Sequence, residues 1–331
     1  MARGTRSIAA QDQSERDVSI PKVVIGVLTW NGYDKARACM ASLTTLRSWP
    51  ISSVVVDNGS SEPEGAKLVA EFGPPFETLR LPDNQAVSGG YNAAIRWASE
   101  HDATHILLLN NDTLITDPQM LDSLVKAMAP SVAAVAPVIC NGDGSTYSAG
   151  GRFSQLSGRS THHHDPLHAD RPYSVPWLDG PCLLVSMEAV RRIGGLDPIF
   201  VSYWEDVDWC FRAVRNGLRC LVEPRTSIVH LRGGTIPSAE AEAYDLRNGI
   251  LFMRRNGGLW GNVTSISFFL LVRSPLHVLR RGRPLTRMAS AVRAVGTAIA
   301  WNVMDAKRRG RWLIPAAGPS IREMPTSGLD R

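Results

Sequence analysis

Carboxylates in this 331-residue chain recur at the ends of apolar runs, where a folded sheet would bring them to a ligand. Asp57 follows Val54-Val55-Val56, and Asp112 follows Leu107-Leu108-Leu109 by way of the amides Asn110 and Asn111. Parallel strands buried on both faces read as unbroken apolar runs, and open α/β sheets collect ligands at the carboxyl ends of their strands. Asp112 could hold a divalent cation, because Mg²⁺ and Mn²⁺ prefer oxygen and take one or two carboxylates plus substrate phosphates. A strand cap that starts the next helix is the structural alternative. An exposed carboxylate such as Asp57 suits hydrogen bonding to a nucleobase or ribose. A third cluster, Trp204-Glu205-Asp206-Val207-Asp208, opens an amphipathic helix. The helix dipole favours acidic residues there by about 0.3–1 kcal/mol each and could account for all three. Asp206 is nevertheless the position expected for a general base, since neighbouring carboxylates push its pKa upward. His230 ends a strand before Arg232-Gly233-Gly234-Thr235 and is expected to ligate a metal.

Positioning these groups requires a regular alternation of elements. Residues 22–30, 51–56, 76–81, 106–109 and 132–138 read as strands. Helices are expected over residues 33–47, 62–72, 88–100 and 117–128, the last with Asp117 as N-cap and Pro118 at the first helical position. Such alternation predicts an α/β fold, a mostly parallel sheet flanked by helices, with right-handed crossovers. Trp30-Asn31 follows the first strand and shares the sheet edge with Asp57 and Asp112. Asn84 and the run Ser88-Gly89-Gly90-Tyr91-Asn92 place a glycine pair at a helix start, where backbone N–H groups reach a ligand or the helix packs closely on the sheet. GxGxxG and GxxxxGK[ST] are absent there, so dinucleotide and P-loop readings lose their main support. Residues 140–179, rich in Gly, Ser, His and Pro, predict a hairpin or long mobile loop with His162, His163, His164 and His168 facing solvent. Strands over 180–186, 218–222 and 227–230 and helices over 187–193 and 205–215 complete the domain.

Composition bounds the remainder. Hydrophobic residues at 44% and charged residues at 20% are ordinary for a globular chain. Residues 1–20 lack an apolar stretch and read as a disordered lead-in without a secretory signal. Cys39, Cys140, Cys182, Cys210 and Cys220 show no CxxC spacing, which predicts buried thiols in a reducing cytosol. Net charge is +5, but twelve lysines and arginines crowd residues 254–311. Apolar residues 259–272 lie among them, too short and interrupted to span a bilayer, which takes about 20 residues. Residues 251–331 are therefore expected to form a basic amphipathic helical region lying on an anionic membrane surface. No aromatic-basic reader motif points to nucleic acid.

Seven segments in order resemble the inverting family-2 glycosyltransferases of GT-A fold, particularly their bacterial rhamnosyltransferase-like branch. They are VVIGVLTWNG (23–32), VVVDNGS (54–60), DNQAVSGGYNAA (83–94), LLLNNDT (107–113), LDGPCLLVSMEAVRRIGGLD (178–197), YWEDVDWCFRAVRNG (203–217) and VHLRGGT (229–235). The resemblance implies a transferase domain over residues 21–250. It implies that Asp57 contacts the base of a nucleotide-sugar near Thr29, Trp30 and Asn31, and that Asn84, Gly89, Gly90 and Asn92 line the nucleotide-sugar pocket. Asn110-Asn111-Asp112 takes the place of the family's DxD motif. Asn111 would face the nucleotide-sugar, and Asp112 would bind Mg²⁺ or Mn²⁺ with His230 as a further ligand. Asn110 replaces the first Asp, removing one anionic ligand. Asp179, Gly180 and Glu205 would lie near the acceptor, and Asp206 would be the base of an in-line displacement. The implied donor is dTDP-L-rhamnose, with UDP-galactofuranose, UDP-glucose or a GDP-sugar as alternatives. The basic, amphipathic tail suggests a lipid-linked acceptor at the cytoplasmic face of the membrane, with a polysaccharide acceptor as the alternative. A sugar-phosphate nucleotidyltransferase would need a basic glycine-rich loop after the first strand, and Trp30-Asn31-Gly32-Tyr33 offers none. A non-catalytic assembly partner with a transferase fold draws support only from Asn110.

Overall fold

Strand β1 (Val23–Thr29) is buried along its whole length because it runs between two parallel neighbours, β2 (Ser52–Asp57) and β4 (His105–Asn110). Beyond β2 lies β3 (Phe76–Arg80), also parallel. Side chains along β1 alternate between the faces of the sheet. Val24 and Leu28 pack with Ala93, Ala94 and Ala98 of α3 (Ala86–Glu100) on one face. Ile25 and Val27 pack with Ala36, Cys39 and Met40 of α1 (Tyr33–Leu43) on the other, where α2 (Glu64–Phe72) contributes Leu68. Each fully buried aliphatic side chain contributes about 1.5–3 kcal/mol relative to exposure, enough to fix strand register. The computed structural model describes residues 21–47, 52–154, 159–231 and 238–256, with isolated positions beyond.

The second half departs from a purely parallel arrangement. After β5 (Thr113–Ile115) and α4 (Met120–Lys126), β6 (Val132–Cys140) joins the sheet. The region expected as one hairpin or loop instead holds β7 (Thr146–Ser148), β8 (Gly151–Phe153), β9 (Ser160–His162) and β10 (Tyr173–Val175). Strand β7 extends the main sheet beside β6, while β8 and β9 form a separate two-stranded sheet. Strand β11 (Cys182–Ser186) is inserted antiparallel between β4 and β6. It leads into α5 (Met187–Ile193), a 3-10 turn (Pro198–Phe200), α6 (Glu205–Arg215) and β12 (Arg219–His230). The two short strands expected at 218–230 are thus one strand, irregular between Glu223 and Ser227. The main sheet runs β10-β12-β6-β11-β4-β1-β2-β3, with β5 on β12.

Among the boundaries that differ from the sequence reading, two change what surrounds the site. Helix α4 starts at Met120 rather than at Asp117, whose carboxylate accepts instead from Gln119 N at 2.9 Å and Thr226 Oγ1 at 2.7 Å. Helix α7 (Ser238–Asn256) crosses the boundary expected at residue 250, and Leu251, Phe252 and Met253 are buried in the core. The first turns of the expected tail region thus belong to the domain. The remainder of the basic tail, residues 1–20 and the Arg232–Thr235 glycine run lie mostly or wholly outside the described residues. Among the described residues, no helix is long and apolar enough to cross a membrane, and all five cysteines are unbridged.

Candidate active site

The carboxyl ends of β1 and β4 open into a cleft of about 930 Å³, closed on the far side by the starts of α6 and by α7. Asp112, Asp206 and His230 all line it, although 94 residues separate the two carboxylates in the chain. Antiparallel pairing of β12 with β5 sets His230 opposite Thr113, one residue from Asp112. His230 Nε2 consequently lies 3.0 Å from Asp112 Oδ1. Burial raises the Asp112 pKa, but the hydrogen bond and charge of His230, with Lys35 behind them, outweigh it and hold the carboxyl below its ordinary value. The other imidazole nitrogen, Nδ1, is buried with no hydrogen-bond partner among the described residues.

Asp206 sits in the first turn of α6, partly open to the cleft yet surrounded by protein. Its carboxylate accepts from Gly180 N at 2.9 Å and from its neighbour Val207 N at 2.7 Å. Burial, reinforced by the negative charge of Asp179, pushes its pKa up to about 7. Glu205 beside it is buried, and desolvation together with Asp206 raises its pKa well above the carboxylate range. At neutral pH the pair can therefore share one ionised carboxylate and one neutral one, with Asp206 poised to exchange a proton. Asp112 and His230 offer one oxygen and one nitrogen in contact, with no third His, Cys, Asp or Glu grouped with them among the described residues. Such a pair fits a divalent cation that takes its remaining ligands from water or a diphosphate.

A profile of the glycosyl transferase family 2 matches residues 24–194, from β1 to the end of α5. The chain belongs to that family. The glycosyltransferase is 25% identical over 278 residues to the N-acetylglucosaminyl-diphospho-decaprenol L-rhamnosyltransferase of Mycobacterium tuberculosis, covering 73% of this chain and 90% of the relative. It is 26% identical over 242 residues to the dTDP-rhamnosyl transferase RfbF of Shigella flexneri, covering 70% and 79%. Its fold, a GT-A type α/β sheet, is shared with a Pyrobaculum calidifontis mannosyltransferase solved with GDP-Man and Mn²⁺. That likeness has a TM-score of 0.54 at 15% identity and covers 87% of this chain and 80% of the other.

Within this glycosyltransferase the expected donor residues separate into two groups. Trp30, Asn31, Asn84 and Asn111 line the cleft, as do Asp179, Gly180 and Glu205 on the opposite wall. Asp57 does not: the strand-end carboxylate turns inward, fully buried, and accepts from Ser60 N at 2.9 Å and Arg80 Nη1 at 2.9 Å. Its oxygens tie the β2–α2 loop, and the next residue, Asn58, faces the cleft in its place. Thr29 is buried as well, donating to Glu64 at 3.1 Å and accepting from Asn111 Nδ2 at 3.1 Å. Of the glycine pair, Gly90 serves packing: a Cβ there would meet Leu28 Cδ1 at 2.3 Å. Gly89 is likewise set back from the cleft, its Cβ position facing Gln85. Asn92 does not line the cleft and instead holds the Gly195-Leu196 turn, accepting from Leu196 N at 2.9 Å and donating to Leu196 O at 2.8 Å.

Several site residues escaped the sequence reading. His162, expected in solvent, is half-buried on the cleft wall, tilted against Tyr147 at 4.7 Å and edge-on to Trp177 at 5.0 Å. Its Nδ1 is 3.0 Å from Asp179 Oδ2, at ion-pair distance without hydrogen-bond alignment. Three adjacent histidines hid it, because nothing in the sequence separates His162, the last residue of β9, from the two that follow. Glu64 is buried and accepts from Gly32 N at 3.0 Å and Tyr33 N at 3.2 Å, so it shapes the β1–α1 loop. Asn110 Oδ1 accepts a 2.5 Å hydrogen bond from the buried Tyr91 hydroxyl. Tyr244 and Asp245 reach the cleft from α7.

Proposed function

We propose that this protein is an inverting, metal-assisted rhamnosyltransferase that moves L-rhamnose from dTDP-L-rhamnose to a lipid-linked glycan acceptor of cell-envelope synthesis. One observation carries the reading: a base-like carboxylate, Asp206, and a cation-holding pair, Asp112 with His230, line the same cleft. The rhamnosyltransferases that the chain resembles supply the sugar and the polyprenyl acceptor class. The Mn²⁺ bound by the mannosyltransferase of the same fold supports the metal.

In this mechanism the loop Trp30–Tyr33 and Asn58, Asn84 and Asn111 bind the donor against the ends of β1, β2 and β4. Asp112 and His230 would hold Mg²⁺ or Mn²⁺, which when bound neutralises charge on the departing nucleoside diphosphate. Lys35, the one lysine or arginine lining the cleft among the described residues, adds positive charge on the same side. Asp206 takes the proton of the acceptor hydroxyl as its oxygen attacks the anomeric carbon from the face opposite the diphosphate. A single displacement of this kind inverts configuration. Gly180 N and Val207 N fix the Asp206 carboxylate while it works. Burial and the negative charge of Asp179 keep its affinity for a proton high.

A membrane-surface role for the basic tail completes the proposal, placing the site beside a polyprenyl substrate at the inner face of the membrane. A nucleotide-sugar panel tests the donor. With Mn²⁺, dTDP-L-rhamnose should raise the melting temperature more than UDP-galactofuranose, UDP-glucose or a GDP-sugar, and Asp112→Asn should abolish the Mn²⁺-dependent part. Equal shifts from all donors would remove rhamnose from the proposal.

A further inference from the structure

The turn that delivers Glu205 and Asp206 to the cleft is a strained one. Val201, Tyr203 and Trp204 have φ of +57°, +67° and +72°, and residues 198–205 contain no glycine. Left-handed backbone at β-branched and bulky residues persists only where the surroundings over-determine it. Here the restraint comes from α7. Asn248 is fully buried, and its Nδ2 lies 2.6 Å from Phe200 O, 2.9 Å from Ser202 O and 2.8 Å from Tyr203 O. Arg247 orients that amide, donating to Asn248 Oδ1 at 2.9 Å while its other arm donates to Ile199 O at 2.9 Å. Asp245, one turn earlier, accepts from Trp204 Nε1 at 2.7 Å. From the opposite side, Val87 N of α3 donates to Val201 O at 3.1 Å.

We infer that Asn248 is a positioning residue for glycosyl transfer, its amide tying the left-handed turn of residues 200–203 so that Asp206 is presented to the acceptor. The inference rests on Asp206 being the base. Few side chains meet the requirement. Aspartate would set a carboxylate against three carbonyl oxygens, glutamine would overreach by a methylene, and alanine would leave buried acceptors without a donor. Loss of the tie frees the turn to relax toward ordinary φ, which swings the first turn of α6 and its carboxylates.

The test compares Asn248→Ala, Asp206→Asn and Leu251→Ala, a buried α7 residue without a hydrogen-bonding side chain, on dTDP-L-rhamnose and an N-acetylglucosaminyl-diphospho-polyprenol. For Asn248→Ala, kcat should fall about 10- to 100-fold while donor KM stays within about twofold, the pattern of a misplaced catalytic group. Hydrogen exchange at residues 201–206 should rise, with β1 and β4 unchanged. The groups facing Asp206 are Asp179, Glu205, His162 and Cys210, and a loosened Asp206 gains water, so the acid limb of the rate profile should move to lower pH. Leu251→Ala should lower the melting temperature with kcat and acid limb unmoved. Asn248→Ser replaces the alanine variant if that does not fold. An Asn248 variant with wild-type kcat and acid limb, beside an inactive Asp206→Asn, overturns the inference and leaves the base intact. If Asp206→Asn is itself active, the base has failed, and unchanged exchange at 201–206 then refutes the tie as well.

Discussion

At the residue scale, environment makes two carboxylates of one cleft chemically different. Asp112 is held ionised by His230, whereas Asp206 keeps its proton up to about pH 7 through burial and Asp179. Turnover is therefore expected to rise with pH and level off above about 7, because only the ionised base accepts a proton. Stability should move the other way. The folded pKa of Asp206 lies above its ordinary 3.8, so its contribution is fully present below that value and is lost as pH rises through about 7. Asp206→Asn should consequently melt higher than wild type at pH 8 and converge with it near pH 4, as followed by thermal unfolding against pH; equal melting at pH 8 would contradict the burial. The sequence could single out Asp112, Asp206 and His230, which the fold brings to one cleft, because each is a polar residue at the end of an apolar or amphipathic run. Asp57 follows the same pattern but is buried against its own loop, since strand alternation does not say whether a terminal carboxylate turns to a cleft or to loop N–H groups. Arg80, which pairs with it from the neighbouring strand, is visible only once β3 is seated beside β2.

At the scale of elements, close approach decides where the cleft walls stand. Gly59 has φ of +71°, and a Cβ there would lie 2.4–2.8 Å from the backbone of Asp83 and Asn84. Gly59→Ala should therefore destabilise by about 1–3 kcal/mol, since the overlap is with backbone and cannot relax by rotamer change. Urea unfolding measures this, and a midpoint equal to wild type would mean that the Asn58 and Asn84 loops approach less tightly than described. The βα alternation from β1 to α4 was readable because apolar runs and helical periodicity agree there. The four short strands β7 to β10 were not, because three-residue strands carry too few residues to show a period. Helix α7 escaped for a different reason. Its polar residues Asp245, Arg247 and Asn248 face inward to satisfy a turn, which breaks the amphipathic pattern that announces a helix.

At the scale of the whole molecule, the fold brings polar groups from remote segments to one cleft. Asp112 and His230 come from the β4–β5 turn and the end of β12, Asp206 from α6, and Tyr244 and Asp245 from α7. Deletion of the chain after Gly257 is expected to leave this domain folded and to weaken binding to anionic liposomes in co-sedimentation, with unchanged binding refuting the surface role of the basic tail. The central claim concerns Asp206 as the base across the cleft from the cation pair. Its most direct test is transfer from dTDP-L-rhamnose by Asp206→Asn, with donor affinity measured on the same preparation. The account predicts a loss of at least about 10²-fold in turnover with donor affinity nearly unchanged. Ordinary turnover by Asp206→Asn would contradict it.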